Sequence, residues 1–141
     1  MIKNKVISID FDGTITKENL YPNIGEFREN AVECIKKLQK YNHCFLFTCR
    51  QGKPLLDALY LLEKNGVKMD VFSPYDYSVA FGRKPIADYY IDDMAIGCPV
   101  IIYQNRRFVD WIQITIELML DDIFTFKESR EIIKELKEKL N

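Results

Sequence analysis

The sequence predicts an α/β protein built on a mainly parallel, five-stranded sheet with helices over both faces. Three observations lead there. Short apolar runs lack the alternation of half-exposed strands and read as strands buried on both sides. Amphipathic helical patterns lie between several of them. Polar residues gather where the runs end, and in such sheets ligands bind beyond the carboxyl ends of the strands.

The elements follow in order. Residues 5–10, KVISID, form the first strand. Residues 16–25, TKENLYPNIG, form a loop punctuated by Pro22 and Gly25. Across residues 27–41, Phe27, Ala31, Ile35 and Leu38 recur at helical spacing. Residues 44–48, CFLFT, are a second strand. Pro54 suits the opening of the next helix, which carries Leu55, Leu59 and Leu62 on one face and stops near Gly66. A short strand surrounds DVF within residues 67–73, and residues 74–85 are irregular. ADYYI, residues 87–91, is a fourth strand and PVIIY, residues 99–103, a fifth. Two helices close the chain over residues 110–121 and 125–140, the second with Thr125 and Glu128 as a capping box. Ile132, Ile133, Leu136 and Leu140 lie on one side of that charged helix, which fits docking on the sheet or on another subunit of a homo-oligomer. The crossovers between parallel strands should be right-handed.

Composition narrows the function. A chain of 141 residues suits one domain with one sizeable core. A net charge of −1 gives no general attraction to nucleic acid or anionic membranes. No apolar run approaches the roughly 20 residues that span a bilayer. The N-terminal MIKNKVISIDFDG reaches acids too soon for a signal peptide. Cys34, Cys44, Cys49 and Cys98 are scattered without a CxxC pair, as expected of reduced thiols in a cytoplasmic protein. A single histidine, His43, excludes a histidine-rich metal site.

The chemistry concentrates at the strand ends. The first strand stops on Asp10-Phe11-Asp12, followed by Gly13. The second stops on Thr48-Cys49-Arg50. Lys84 precedes the fourth, which ends in Asp92-Asp93. Parallel strands bring these ends to one edge, where up to four carboxylates would repel one another and one lysine could not balance them. A hard divalent cation could, and magnesium prefers a few carboxylate oxygens with water and phosphate. Each residue has a plainer reading. Asp10 and Asp12 could be turn residues before a glycine, and Thr48 a β-branched strand end. Lys84 competes with Arg83, and either could be a solvated loop charge. Asp92 and Asp93 could cap a helix beginning near Met94. Arg50 could contact substrate or merely pair with surface acids. Cys49 reads as a small residue rather than a nucleophile, since no His or Asn partner for a thiol is in evidence. Trp111 with Ile112, Ile114 and Ile116 reads as core.

DFDGT after an apolar strand, then an apolar strand ending in Thr, then Lys, then an apolar strand ending in DD, resembles the haloacid dehalogenase superfamily of phosphohydrolases. The motifs occur in that family's order over residues 5–98, and YPNIG, TCRxG and KxxADYYIDD are similar to a small bacterial and phage-type branch. The resemblance implies a Rossmann-type three-layer α/β/α fold and a magnesium-dependent phosphatase acting on a phosphorylated small molecule. Asp10 would be the nucleophile that forms an aspartyl-phosphate. Asp12 would protonate the leaving oxygen and then deprotonate water. Asp10, the Asp12 carbonyl and Asp92 would hold the metal, with Asp93 acting directly or through water. Thr48 and the backbone N–H of Cys49 would bind the phosphoryl oxygens. Lys84 would neutralise the nucleophile and those oxygens, and Gly13 would let the backbone approach them. Neither interval between motifs has room for a cap domain, so the form expected is capless. A large substrate, another subunit or the loops 16–25 and 74–83, with Tyr21, Tyr75, Tyr77 and Phe81, could then cover the site, and a contribution from the loops is the favoured reading.

Other classes fit less well. A catalytically weak or inactive relative that binds phosphate ligands is the main alternative. A receiver module would need its acceptor Asp at the third strand and a Lys after the fifth, and the order here is wrong. A nucleic-acid end phosphatase is disfavoured by the near-neutral charge, although Lys36, Lys37 and Lys40 form a local basic patch.

Overall fold

The computed structural model describes residues 4–71 and 84–121, with residues 127, 130, 131, 133, 134 and 138 of the C-terminal segment. Among the described residues, the centre of the molecule is a parallel sheet of three strands. β1 (Val6–Ile9) lies between β2 (His43–Leu46) and β3 (Tyr89–Ile91). Ile7 faces Cys44 on one side and Tyr89 on the other. All four residues of β1 are buried, as the unalternating VISI requires. A single parallel bridge from Phe45 to Asp70 extends the pairing beyond β2. The predicted strand around DVF is thus represented by Asp70; its remainder, from residue 72, lies outside the described residues.

Among the described residues, three complete helices pack on this sheet. α1 (Ala31–Leu38) is shorter than the predicted 27–41 segment. Phe27 instead bridges Thr16 in antiparallel fashion, so the chain is extended there and turns helical only after Asn30. α2 (Gly52–Lys64) begins two residues before Pro54 and ends near Gly66 as expected. α3 (Trp111–Leu120) is capped by Asp110, whose side chain accepts from the N–H groups of Ile112 and Gln113 at 3.1 and 3.0 Å. Ile35, Leu38, Leu46, Leu62, Val67, Trp111 and Ile114 belong to one continuous core. The predicted helix over 125–140 falls largely outside the described residues, as do Thr125 and Glu128. No described helix is long and apolar enough to cross a membrane.

The fifth strand requires a correction. β4 (Val100–Tyr103) does not join the parallel sheet. It pairs antiparallel with β5 (Arg106–Val109), giving a separate two-stranded hairpin. The mainly parallel five-stranded sheet is therefore not what forms among the described residues. The cause is local. Gln104 and Asn105 both take positive φ, 48° and 61°, the backbone of a two-residue hairpin turn whose twist matches the flanking strands. Arg28 fastens the hairpin, its Nε donating to the Val109 carbonyl at 2.8 Å.

Trp111 connects this periphery to the first strand. Its ring is 1% exposed, and its Nε1 donates to the Thr14 carbonyl at 2.9 Å, inside the turn that follows β1. Trp111→Phe keeps most of the apolar volume and leaves that carbonyl without its donor. The variant should lose about 1–3 kcal/mol, read as a lower urea midpoint with unchanged slope by circular dichroism.

Candidate functional site

β1 and β3 run side by side, so the chain leaves both at one edge. The Asp10 N–H donates to the Ile91 carbonyl at 2.9 Å, which sets Asp10 beside the start of Asp92-Asp93. Asp10, Asp92 and Asp93 can each direct a carboxylate oxygen so that the three lie within 4.8 Å of one another. All three are half-buried. The approach predicted from DFDG and IDD is present.

The turn after β1, residues Phe11–Ile15, builds the floor. Gly13 has φ +82°, and a Cβ there would lie 2.6 Å from Asp93 Oδ2. Both facts demand glycine. The close neighbour that selects it is the Asp93 carboxylate, a contact that the phosphate-approach expectation did not include. Thr14 is fully buried and acts as the staple. Its hydroxyl donates to Asp10 Oδ2 at 2.9 Å, accepts from the Asp93 N–H at 2.9 Å and lies 3.4 Å from Asp93 Oδ1. This threonine of DFDGT has no role among the sequence expectations. The available signal was its place one residue after the glycine, where its side chain can turn back towards position 10. Asp92 Oδ1 accepts from the Met94 N–H at 2.9 Å within a turn; no helix begins near Met94, so the expected helix cap does not form.

Electrostatics follow from this crowding. Burial pushes the Asp10 carboxyl up to about 7; the Thr14 hydroxyl lowers it and the Asp92 charge raises it further. Asp93 is also raised, first by burial and then by Asp92. Arg107 touches the Asp93 carbonyl at 3.4 Å, a contact with backbone rather than carboxylate. Three converging oxygen donors, two of them disfavoured as bare anions, fit a hard divalent cation by donor chemistry.

The remaining predicted residues divide. Asp12 is not part of the triad. Arg50 Nε and Nη2 donate to its two carboxylate oxygens, each at 2.7 Å. Arg50 itself is 2% exposed. Of its two readings, pairing with an acid is the one formed, though the acid is the half-buried Asp12 rather than a surface one. Thr48 is half-buried, and its Oγ1 accepts from the Arg50 N–H at 3.2 Å. Cys49 is exposed between them. Lys84 is exposed, with Nζ 4.6 Å from the centre of the Tyr90 ring. Among the described residues it forms no ion pair with the triad. Arg83 and the aromatics Tyr75, Tyr77 and Phe81 lie outside the described residues. Tyr21 is 57% exposed and stacks over the Arg50 guanidinium, its ring centre 5.5 Å away.

A cavity of about 530 Å³ lies between the 17–29 segment and the hairpin. Its charges pair among themselves: Lys17 with Glu26 and Glu29, Arg28 with Glu29, and Arg106 with Glu18. The lining includes none of the triad, so the triad remains the better candidate.

The fold and site together define an α/β chain with a carboxylate cluster at the ends of adjacent parallel strands. The chain is similar to a solved structure of a conserved protein coded by a locus of Bacteroides thetaiotaomicron, with 32% identity over 89% of this chain and 96% of the other, and a TM-score of 0.65. It belongs to the same family as that protein. No family model matches the chain, and no curated protein does.

The crowded acids carry three predictions. For an acid whose folded-state pKa is raised, the native state binds the proton more tightly than the unfolded chain. Stability is then greatest at low pH and falls as pH rises from the ordinary aspartate range through about 7. Asp10→Asn removes that penalty. Without metal at pH 8 it should melt about 3 °C or more above the wild type, the gap closing towards pH 4. Excess magnesium should raise the wild-type melting temperature at pH 8 more than that of the variant. Gly13→Ala, which meets both the positive φ and Asp93, should lose about 1–2 kcal/mol and most of the magnesium-dependent rise in melting temperature.

Proposed function

We propose that the chain is a magnesium-dependent phosphohydrolase that receives a phosphoryl group on Asp10. The observation that carries this reading is the convergence of Asp10, Asp92 and Asp93 at one edge of a parallel sheet. The order of the sequence motifs, DFDGT, Thr48, Lys84 and IDD, supports it. A haloacid-dehalogenase-like fold without a cap is part of the same proposal; the β2–β1–β3 core, with Asp10 after its middle strand, supports that part. A cytoplasmic setting accords with four free cysteines, of which Cys34 and Cys44 are buried.

On this reading Asp10, Asp92 and Asp93 would hold the cation. When bound, magnesium would neutralise the cluster and the charge of a phosphate. The residues of the chain do the rest. Thr14 holds one Asp10 oxygen through its hydroxyl, which leaves the other to approach phosphorus. A carboxylate nucleophile divides hydrolysis into two displacements, with an aspartyl-phosphate between them. Thr48 and the exposed backbone around Cys49 are the proposed phosphoryl contacts, and Lys84 the proposed counter-charge. The substrate class is a phosphorylated small molecule.

A second reading, a catalytically weak phosphate-ligand binder, is favoured by one observation: both oxygens of Asp12 are bound to Arg50. Turnover separates the two. Purified wild type should release p-nitrophenol from its phosphate ester with magnesium and stop on chelation. Asp10→Asn should reduce turnover about a thousandfold or more. Phosphate binding by calorimetry without turnover of any ester would select the second reading.

A further inference from the structure

Arg50 is the most thoroughly engaged side chain at the site. A guanidinium has five N–H donors, and here each has a protein acceptor. Nε donates to Asp12 Oδ2 and Nη2 to Asp12 Oδ1, both at 2.7 Å. Nη2 also donates to the Asn23 carbonyl at 2.6 Å, and Nη1 to those of Pro22 and Pro54 at 3.1 and 3.4 Å. The rings of Phe11 and Tyr21 flank the cation, their centres 5.2 and 5.5 Å away. The Arg50 and Asp12 side chains are 1% and 11% exposed.

Two consequences follow. Arg50 has no donor free for a phosphate. Asp12 cannot swing towards a ligand without leaving a buried cation unpaired, a strongly unfavourable state. Asp10 and Asp12 are two residues apart yet answer to different partners: Asp10 to Thr14 and the acidic pair, Asp12 to Arg50.

Resting on the phosphoryl-transfer reading above, the geometry points to Arg50 as a positioning residue that withdraws Asp12 from the leaving group, which makes activated phosphates the substrate class. These are acyl phosphates, phosphoanhydrides and aryl esters, whose leaving oxygen is stable as an anion. In the first step an Asp10 oxygen bonds to phosphorus. The bond from phosphorus to the leaving oxygen breaks, and its electron pair departs with that oxygen as a carboxylate, phosphate or phenolate. No proton from the protein is needed. In the second step water bonds to phosphorus and the Asp10–phosphorus bond breaks. The electron pair returns to the carboxylate, and both water protons leave on the released phosphate. An alkyl ester would expel an alkoxide, which needs the proton that a withdrawn Asp12 does not deliver.

The experiment compares kcat/KM with magnesium for acetyl phosphate, phenyl phosphate and ethyl phosphate. General acid assistance is worth about 10²–10⁴-fold. Wild type should therefore prefer acetyl over ethyl phosphate by about a hundredfold or more. Arg50→Lys and Arg50→Gln cannot form the two-pronged grip and should narrow that preference about tenfold or more, since Asp12 is released. A smaller wild-type preference, or an unchanged preference in variants that fold by circular dichroism, overturns the inference. Should neither variant fold, Asp12→Asn decides. An equal loss on all three substrates supports withdrawal, and a loss confined to ethyl phosphate refutes it. Turnover of acetyl phosphate at any preference keeps the phosphohydrolase reading, whereas no turnover of any of the three removes that reading and this inference together.

Discussion

Mutual repulsion among carboxylates is the constraint around which this molecule is arranged. Parallel pairing of β1 with β3 sets their carboxyl ends side by side, and both ends are acidic. Such an edge is costly unless each oxygen is given a donor or a cation. The turn after β1 answers part of that demand. Gly13 makes room for Asp93, Thr14 ties Asp10 to Asp93, and Trp111 fixes the Thr14 carbonyl from behind. The remaining demand appears in the elevated proton affinity of Asp10. A site of this kind is assembled by backbone geometry, and its raised proton affinity accords with the cation site proposed above.

A second centre adjoins the first without merging with it. Arg50 neutralises Asp12 and gathers three carbonyls from two separate segments, residues 22–23 and residue 54. The loop after β1 is thereby fastened to the start of α2. Buried guanidinium groups suit this work because their donors lie in a rigid plane and stay charged. The acids of DFD thus serve unlike ends. One faces the cluster, and the other is the keystone of a structural junction at its margin.

Much of this was legible in the sequence, and the misses have physical causes. Strand ends were readable because an apolar run that stops on paired acids is a strong local conflict, here VISI before DFD and YYI before DD. The parallel neighbours were readable from the helices between them. The pairing of β4 was not, because VIIY looks the same whether its partner is parallel or antiparallel. The discriminating signal was Gln104-Asn105, a pair in which asparagine tolerates positive φ between two strand-like tetrapeptides. The start of α1 was misread because Phe27 keeps helical spacing while its backbone pairs with Thr16. The grip of Arg50 on Asp12 joins positions 38 residues apart and depends on carbonyl directions, which no side-chain pattern encodes. Lys84 illustrates the opposite limit: order along the chain suggested a role at the cluster, whereas its described contact is a ring on β3.

The chain has a single tryptophan, and its indole sits one bond network away from the cluster. Trp111 holds the Thr14 carbonyl, and the Thr14 hydroxyl holds Asp10. Any event that alters the charge of Asp10 is therefore linked through Thr14 to the only indole chromophore. The protein carries a built-in optical reporter, whose emission would register cations, protons or phosphate at that edge without a label.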